Sequence, residues 1–164
     1  RDSVAYFIST STVNILSQPA GVELFLAKIN ESNIVIEELM RFGSMFITLF
    51  PRTAKEDIEF GDLLISAGTS VSVSQVAANR DPSHFKDPEM LNLNNNSAGH
   101  LAFGHGIHSC VGQQFARIVL KSSLQQLFTK YPQLTLHSAD QLSPMSFAHP
   151  VAVYEAGRVI VSRA

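Results

Sequence analysis

Ten consecutive residues, Phe103-Gly104-His105-Gly106-Ile107-His108-Ser109-Cys110-Val111-Gly112, hold three glycines, two histidines and the only cysteine of the chain. Gly104 and Gly106 let the backbone turn tightly and bring its amides close to whatever Cys110 holds, because no Cβ intervenes. After Gly112, the apolar residues Ala116, Leu120, Leu124, Leu127 and Phe128 recur at helical spacing. Cys110 therefore stands just before a helix N-terminus, where the dipole and free amides favour a thiolate over a thiol. With no second thiol an intramolecular disulfide is excluded, which leaves a buried hydrophobe, a nucleophile, a metal ligand or no role at all.

The rest of the chain reads as one folded domain, mainly α with small β-sheets. At 164 residues it can bury roughly 70% of its unfolded surface. Its 12 basic and 14 acidic side chains leave a charge of -2 and no basic stripe for nucleic acid. No apolar run approaches the ~20 residues of a membrane span. Arg1-Asp2-Ser3-Val4 carries no targeting leader and reads as an internal cut, and the default location is cytoplasmic. Val4 to Leu16 is apolar but rich in Ser and Thr, so helix and strand both remain open, and Pro19-Ala20-Gly21 interrupts it. Helices are expected from Val22 to Lys28 and from Asn33, as cap, to Phe42. Short strands over Asp57 to Phe60, Leu63 to Ser66 and Thr69 to Val73, with turns at Gly61-Asp62 and Ala67-Gly68, predict consecutive hairpins. From Ala77 to Gly99 turn chemistry dominates, and a loop of that length is usually functional.

A four-ligand zinc site needs ligands at repeated short spacing, which one cysteine cannot supply. A single soft anion suits a cofactor that brings its other ligands with it. Haem does so: the porphyrin gives four nitrogens and the protein an axial thiolate. The decapeptide resembles the cysteine-ligand loop of the cytochrome P-450 family, in its bacterial soluble style. Glu38-Leu39-Met40-Arg41 is similar to the Glu-x-x-Arg of that family's K helix, and Asn79-Arg80-Asp81-Pro82 follows in the family's order. The resemblance covers about residues 36–164, with 1–35 a remnant of the I helix and the helix after it. It implies the C-terminal part of the cytochrome P-450 fold: K helix, β hairpins, meander, cysteine loop, L helix and C-terminal β hairpin, with the N-terminal helical portion missing.

The resemblance further implies a haem-thiolate monooxygenase, or the C-terminal piece of one. Such an enzyme uses haem b, dioxygen and electrons from a ferredoxin or flavoprotein to oxygenate a small organic substrate. Cys110 becomes the axial iron ligand, with Gly104, Gly106 and Gly112 around it, Phe103 against the haem face and Ala116 near it. His108, His100 and Arg52 fall at propionate-contacting positions. Glu38 and Arg41 become a buried structural ion pair, although spacing alone favours an ordinary exposed helix pair. Met45 to Leu49 and the turn at Ser146-Phe147 are the segments left to touch substrate. His84, His105, His137 and His149 receive no role.

Departures from the pattern concern dioxygen activation. The best match to the I-helix bend, Phe7 to Asn14, lacks the family's glycine and acid; Ser11 stands for its threonine, as the candidate catalytic hydroxyl, and Thr10 for its acid. The meander arginine that joins the Glu-x-x-Arg pair aligns with Asn95. A truncated or degenerate relative without turnover is the main alternative. A hydrolase with Cys110 as nucleophile and a nearby histidine as base is the remote one.

Overall fold

The Ser- and Thr-rich first segment is a helix in which several hydroxyls bond back to the chain while its apolar side is buried. In α1 (Asp2–Leu16), Thr10, Thr12 and Ser17 donate to the carbonyls of Tyr6, Ile8 and Val13 at 2.8, 2.7 and 2.9 Å. Those i−4 bonds leave Phe7, Val13 and Ile15 to be buried, and tertiary packing decides what propensity left open. The structure is a computed structural model that describes residues 2–31, 33–48, 50–136 and 161–163. The Pro19-Ala20 break separates α1 from α2 (Gly21–Glu31), and α3 (Ile34–Phe42) follows.

These three helices pack around α5 (Gln113–Lys130), the helix that follows Cys110. Ile15, Phe25, Ile29, Val35, Ile36, Leu39, Met40, Leu120, Leu124 and Phe128 form the centre of the core. Phe25 meets Phe128 edge-on at 5.6 Å. The expected stripe of α5 is buried at Leu120, Leu124 and Phe128, while Ala116 and Leu127 are half-buried. Residues 1–35 thus contribute to the same core as the rest, through α1 and α2.

Of the two expected hairpins, one forms. β2 (Ile58–Phe60) pairs antiparallel with β3 (Leu63–Ile65) across the Gly61-Asp62 turn, with Glu59 opposite Leu64. The Ala67-Gly68 turn does not join a second pair. β4 (Ser70–Val71) pairs instead with β1 (Arg52–Thr53), with Arg52 opposite Val71 and Thr53 opposite Ser70. Ala54 and Gly68 extend that ladder, each donating at 2.9 Å. The pairing is non-local: β1, before the first hairpin, supplies the edge that β4 takes. A four-residue helix, α4 (Gln75–Ala78), capped by the Ser74 hydroxyl, interrupts the loop region. Beyond α5, β5 (Leu134–Leu136) pairs antiparallel with β6 (Val161–Arg163). His137, Ser146, Phe147 and His149 lie outside the described residues, as does Leu49 at the end of the Met45 segment.

Candidate haem-thiolate site

The ion pair of α3 is the interior end of the site. Glu38 and Arg41 are both 0% exposed, so the helix is buried on this side as well as on its apolar one. Arg41 forks onto the carboxylate, Nε to Oε2 at 2.7 Å and Nη2 to Oε1 at 2.9 Å. Its remaining donors go to the carbonyls of Asn79, Pro88 and Met90 at 2.9, 2.8 and 3.1 Å. Glu38 also accepts from the Asn92 amide at 3.0 Å and from the Ser97 hydroxyl. Every polar atom of this buried pair is therefore engaged, the condition under which burying charge is tolerable. The segment 79–97, all turn chemistry in sequence, is held in place by these bonds. Asn95 is not among Glu38's partners; its amide turns back to the Asn92 carbonyl at 2.8 Å.

Asn79 carries this order outward. It is fully buried; its Nδ2 donates to the Ser44 hydroxyl at 2.5 Å and its Oδ1 accepts from the Leu101 amide at 2.6 Å. The cysteine loop begins there. Gly104 and Gly106 have φ of 72° and 80°, the left-handed region that side chains disfavour, so the glycines are required by the turn. The loop closes on itself: the Cys110 amide donates to the Phe103 carbonyl at 2.8 Å, and Ser109 to Gly106 at 3.0 Å. One turn of 3-10 helix, Gly106–His108, precedes the cysteine, and Gly112 caps α5.

Cys110 is exposed, which removes the reading of a buried structural thiol. Ile107 and Val111 are fully exposed on either side of it, and Phe115 and Ile118 are 67% and 64% exposed on the first turns of α5. Phe103 and Gly112 are half-buried, and His105 and His108 are exposed. Arg52, on β1, is exposed, and nothing among the described residues pairs with its guanidinium. An open thiol, a backbone free of Cβ atoms and an apolar border fit a large, flat, apolar macrocycle bound through one axial sulfur.

Two expected residues are placed differently. His100 is buried with both ring nitrogens engaged: Nε2 faces Glu37 Oε2 at 3.0 Å, and Nδ1 accepts from the Ala102 amide at 3.1 Å. It has no ring N–H left for a propionate. Ser11 is 1% exposed on the core stripe between Phe7 and Ile15, its hydroxyl without a partner among the described residues.

Glu37 and Arg117 went unnoticed in the sequence. Arg117 forks onto Glu37 at 2.7 and 2.9 Å, and its guanidinium lies 4.7 Å over the Phe103 ring. Burial by itself would raise the Glu37 carboxyl. Hydrogen bonds from His100 and Arg117, with the charge of Arg117, outweigh it and hold the pKa at about 2, below an ordinary 4.5. An acid and a base 80 residues apart leave no local signal of their pairing. Ser97 was equally illegible, whereas Asn79 lay in a motif already singled out.

No helix among the described residues is long and apolar enough to cross a membrane, and no cluster of three metal-ligating side chains is present among them. Residues 26–154 match the family model of cytochrome P450. Cytochrome P450 105C1 from Streptomyces sp is 34% identical over 160 residues, which is 98% of this chain and 42% of that protein. Nocardicin C N-oxygenase from Nocardia uniformis subsp. tsuyamanensis is 38% identical over 83% of this chain and 34% of its own length. The crystal structure of cytochrome P450 MoxA from Nonomuraea recticatena superposes with a TM-score of 0.83 at 35% identity, covering 92% of this chain and 37% of that one. The chain thus spans well under half the length of the relatives it matches.

Proposed function

Because the chain belongs to the cytochrome P450 family, we propose that it is the haem-ligating portion, residues 36–164, of a haem-thiolate monooxygenase, with residues 1–35 contributing the end of the I helix and the helix after it. Members of the family bind haem b. The observation that carries the proposal is the open Cys110 thiol, presented by a left-handed Gly104-Gly106 turn at the start of α5. Haem held there through the Cys110 sulfur would supply the iron chemistry that activates dioxygen.

The chain's own residues do the holding. The Gly104-Gly106 turn and the start of α5 hold Cys110 with its sulfur open to a ligand. Phe103 and Ala116 provide apolar contact to the macrocycle. His108 and Arg52, both exposed and without side-chain partners among the described residues, are the donors available for propionates. The substrate is a small organic molecule and the electrons come from a ferredoxin or flavoprotein; the name of Nocardicin C N-oxygenase supports oxygen insertion as the class of reaction.

A second reading, haem binding without turnover, is favoured by one observation: Ser11 is enclosed and the helix that carries it has no acid beside it. Against a hydrolase stands the absence of any hydrogen bond, among the described residues, from His105 or His108 to Cys110. The test is haem uptake. The chain is mixed with haemin, reduced and exposed to carbon monoxide, and the red-shifted Soret band of a thiolate-ligated haem is expected. Cys110→Ala must abolish it; no uptake by the parent chain would overturn the proposal. Addition of a ferredoxin system and dioxygen, with product or only peroxide released, separates the two haem readings.

A further inference from the structure

Neighbouring carboxylates of α3 face two different structures. Glu38 is spent on Arg41 and the 79–97 segment. Glu37 holds the ligand loop at both of its ends: His100 lies ten residues before Cys110 and Arg117 seven after it. The Ala102 amide donates to His100 Nδ1, so it is Nε2 that carries the proton given to Glu37.

Inside the loop the bonds are self-contained. Gly104 donates to Leu101, Ser109 to Gly106 and Cys110 to Phe103, all within 101–110. Such bonds fix the shape of the turn but not its orientation on the helices. Among the described residues, the ties that reach outward are the Leu101–Asn79 bond, the Gln113 amide on the Cys110 carbonyl at 3.3 Å and the Glu37 cluster. Through Arg117 that cluster extends to the Phe103 ring at 4.7 Å, and the Phe103 carbonyl in turn receives the Cys110 amide. Arg117 Nη1 donates to Gln113 Oε1 at 3.0 Å, locking the fork to the first turn of α5.

We propose that Glu37 is a positioning residue: through His100 and Arg117 it sets the orientation of the Cys110 loop on the helical scaffold, and with it the share of haem bound through the thiolate. The proposal rests on Cys110 as the axial ligand. Glu37 and Arg117 are about a fifth exposed, so the global fold depends on them less than on the enclosed Glu38–Arg41 pair.

Two readouts separate the clamp from the ligand reading. In the chain without haem, Glu37→Gln should speed hydrogen exchange at the Cys110 amide about tenfold while the Leu124 amide of the core keeps its rate. In the haemin-loaded, carbon-monoxide-bound chain, the same variant should lower the thiolate-ligated share several-fold, and Arg117→Lys, which keeps the charge but loses the fork, should fall between. Unchanged exchange at Cys110 in both variants, or a rise that merely follows Leu124, overturns the proposal. If the parent chain takes up no haem the ligand reading fails, and the exchange measurement still decides whether Glu37 holds the loop. Should Glu37→Gln not fold, Arg117→Lys carries both measurements.

Discussion

The Glu38–Arg41 pair and the Cys110 loop lie in one scaffold and are built on opposite terms. The pair is wholly enclosed, and its donors and acceptors are used up by residues 79–97. The loop is open, its bonds turned inward, its cysteine and apolar neighbours uncovered. The first region is finished by this chain; the second displays chemistry intended for something the chain does not itself contain. Between them stand Asn79 and Glu37, which pass order from the closed region to the open one.

Breaking the closed region should cost most. Arg41→Ala leaves a buried carboxylate without its cation and three carbonyls without donors, and about 3–5 kcal/mol of stability should be lost in urea unfolding. A loss below ~1 kcal/mol would mean that the pair is hydrated in solution. Ser97→Ala removes the hydroxyl bonded to Glu38, two residues beyond Asn95. It should cost about 1.5–3 kcal/mol, while Asn95→Ala should cost almost nothing.

The intermediate layer answers to pH. Glu37's folded pKa lies at about 2 against an ordinary 4.5, so its contribution is present above 4.5 and lost as pH falls towards 2. In an acid titration of stability, Arg117→Ala should flatten that segment of the curve, with a difference on the order of 1–2 kcal/mol at neutral pH. At the open end, Gly106→Ala places a side chain at φ 80° with free space around it, so about 1 kcal/mol of backbone strain is expected. Cys110→Ala should change stability by less than ~0.5 kcal/mol and yet abolish the thiolate signature of bound haem. A large stability loss there would show the thiol to be packed after all.

How much of this was readable depended on distance along the chain. The cysteine loop was legible because its parts are contiguous: a turn that demands glycine, a ligand, and a helix start follow each other within ten residues. Glu38 and Arg41 were legible as a pair from their spacing. Whether that pair was exposed or buried was not, since the partners that enclose it come from residues 79, 88, 90, 92 and 97. The Ala67-Gly68 turn misled for the same reason: local turn chemistry was correct, but β1, on the far side of the first hairpin, competed for β4.

Sequence alone determined the lone cysteine, the glycine turn that presents it and the helices that could form, because each depends on residues within a few positions of one another and on the chirality of the backbone. Only the tertiary structure decided that Cys110 is uncovered, that Ser11 and His100 are enclosed, and that Glu37 reaches Arg117 eighty residues away. Burial and long-range hydrogen bonding are properties of packed neighbours, and no local pattern in the chain records which neighbours those are.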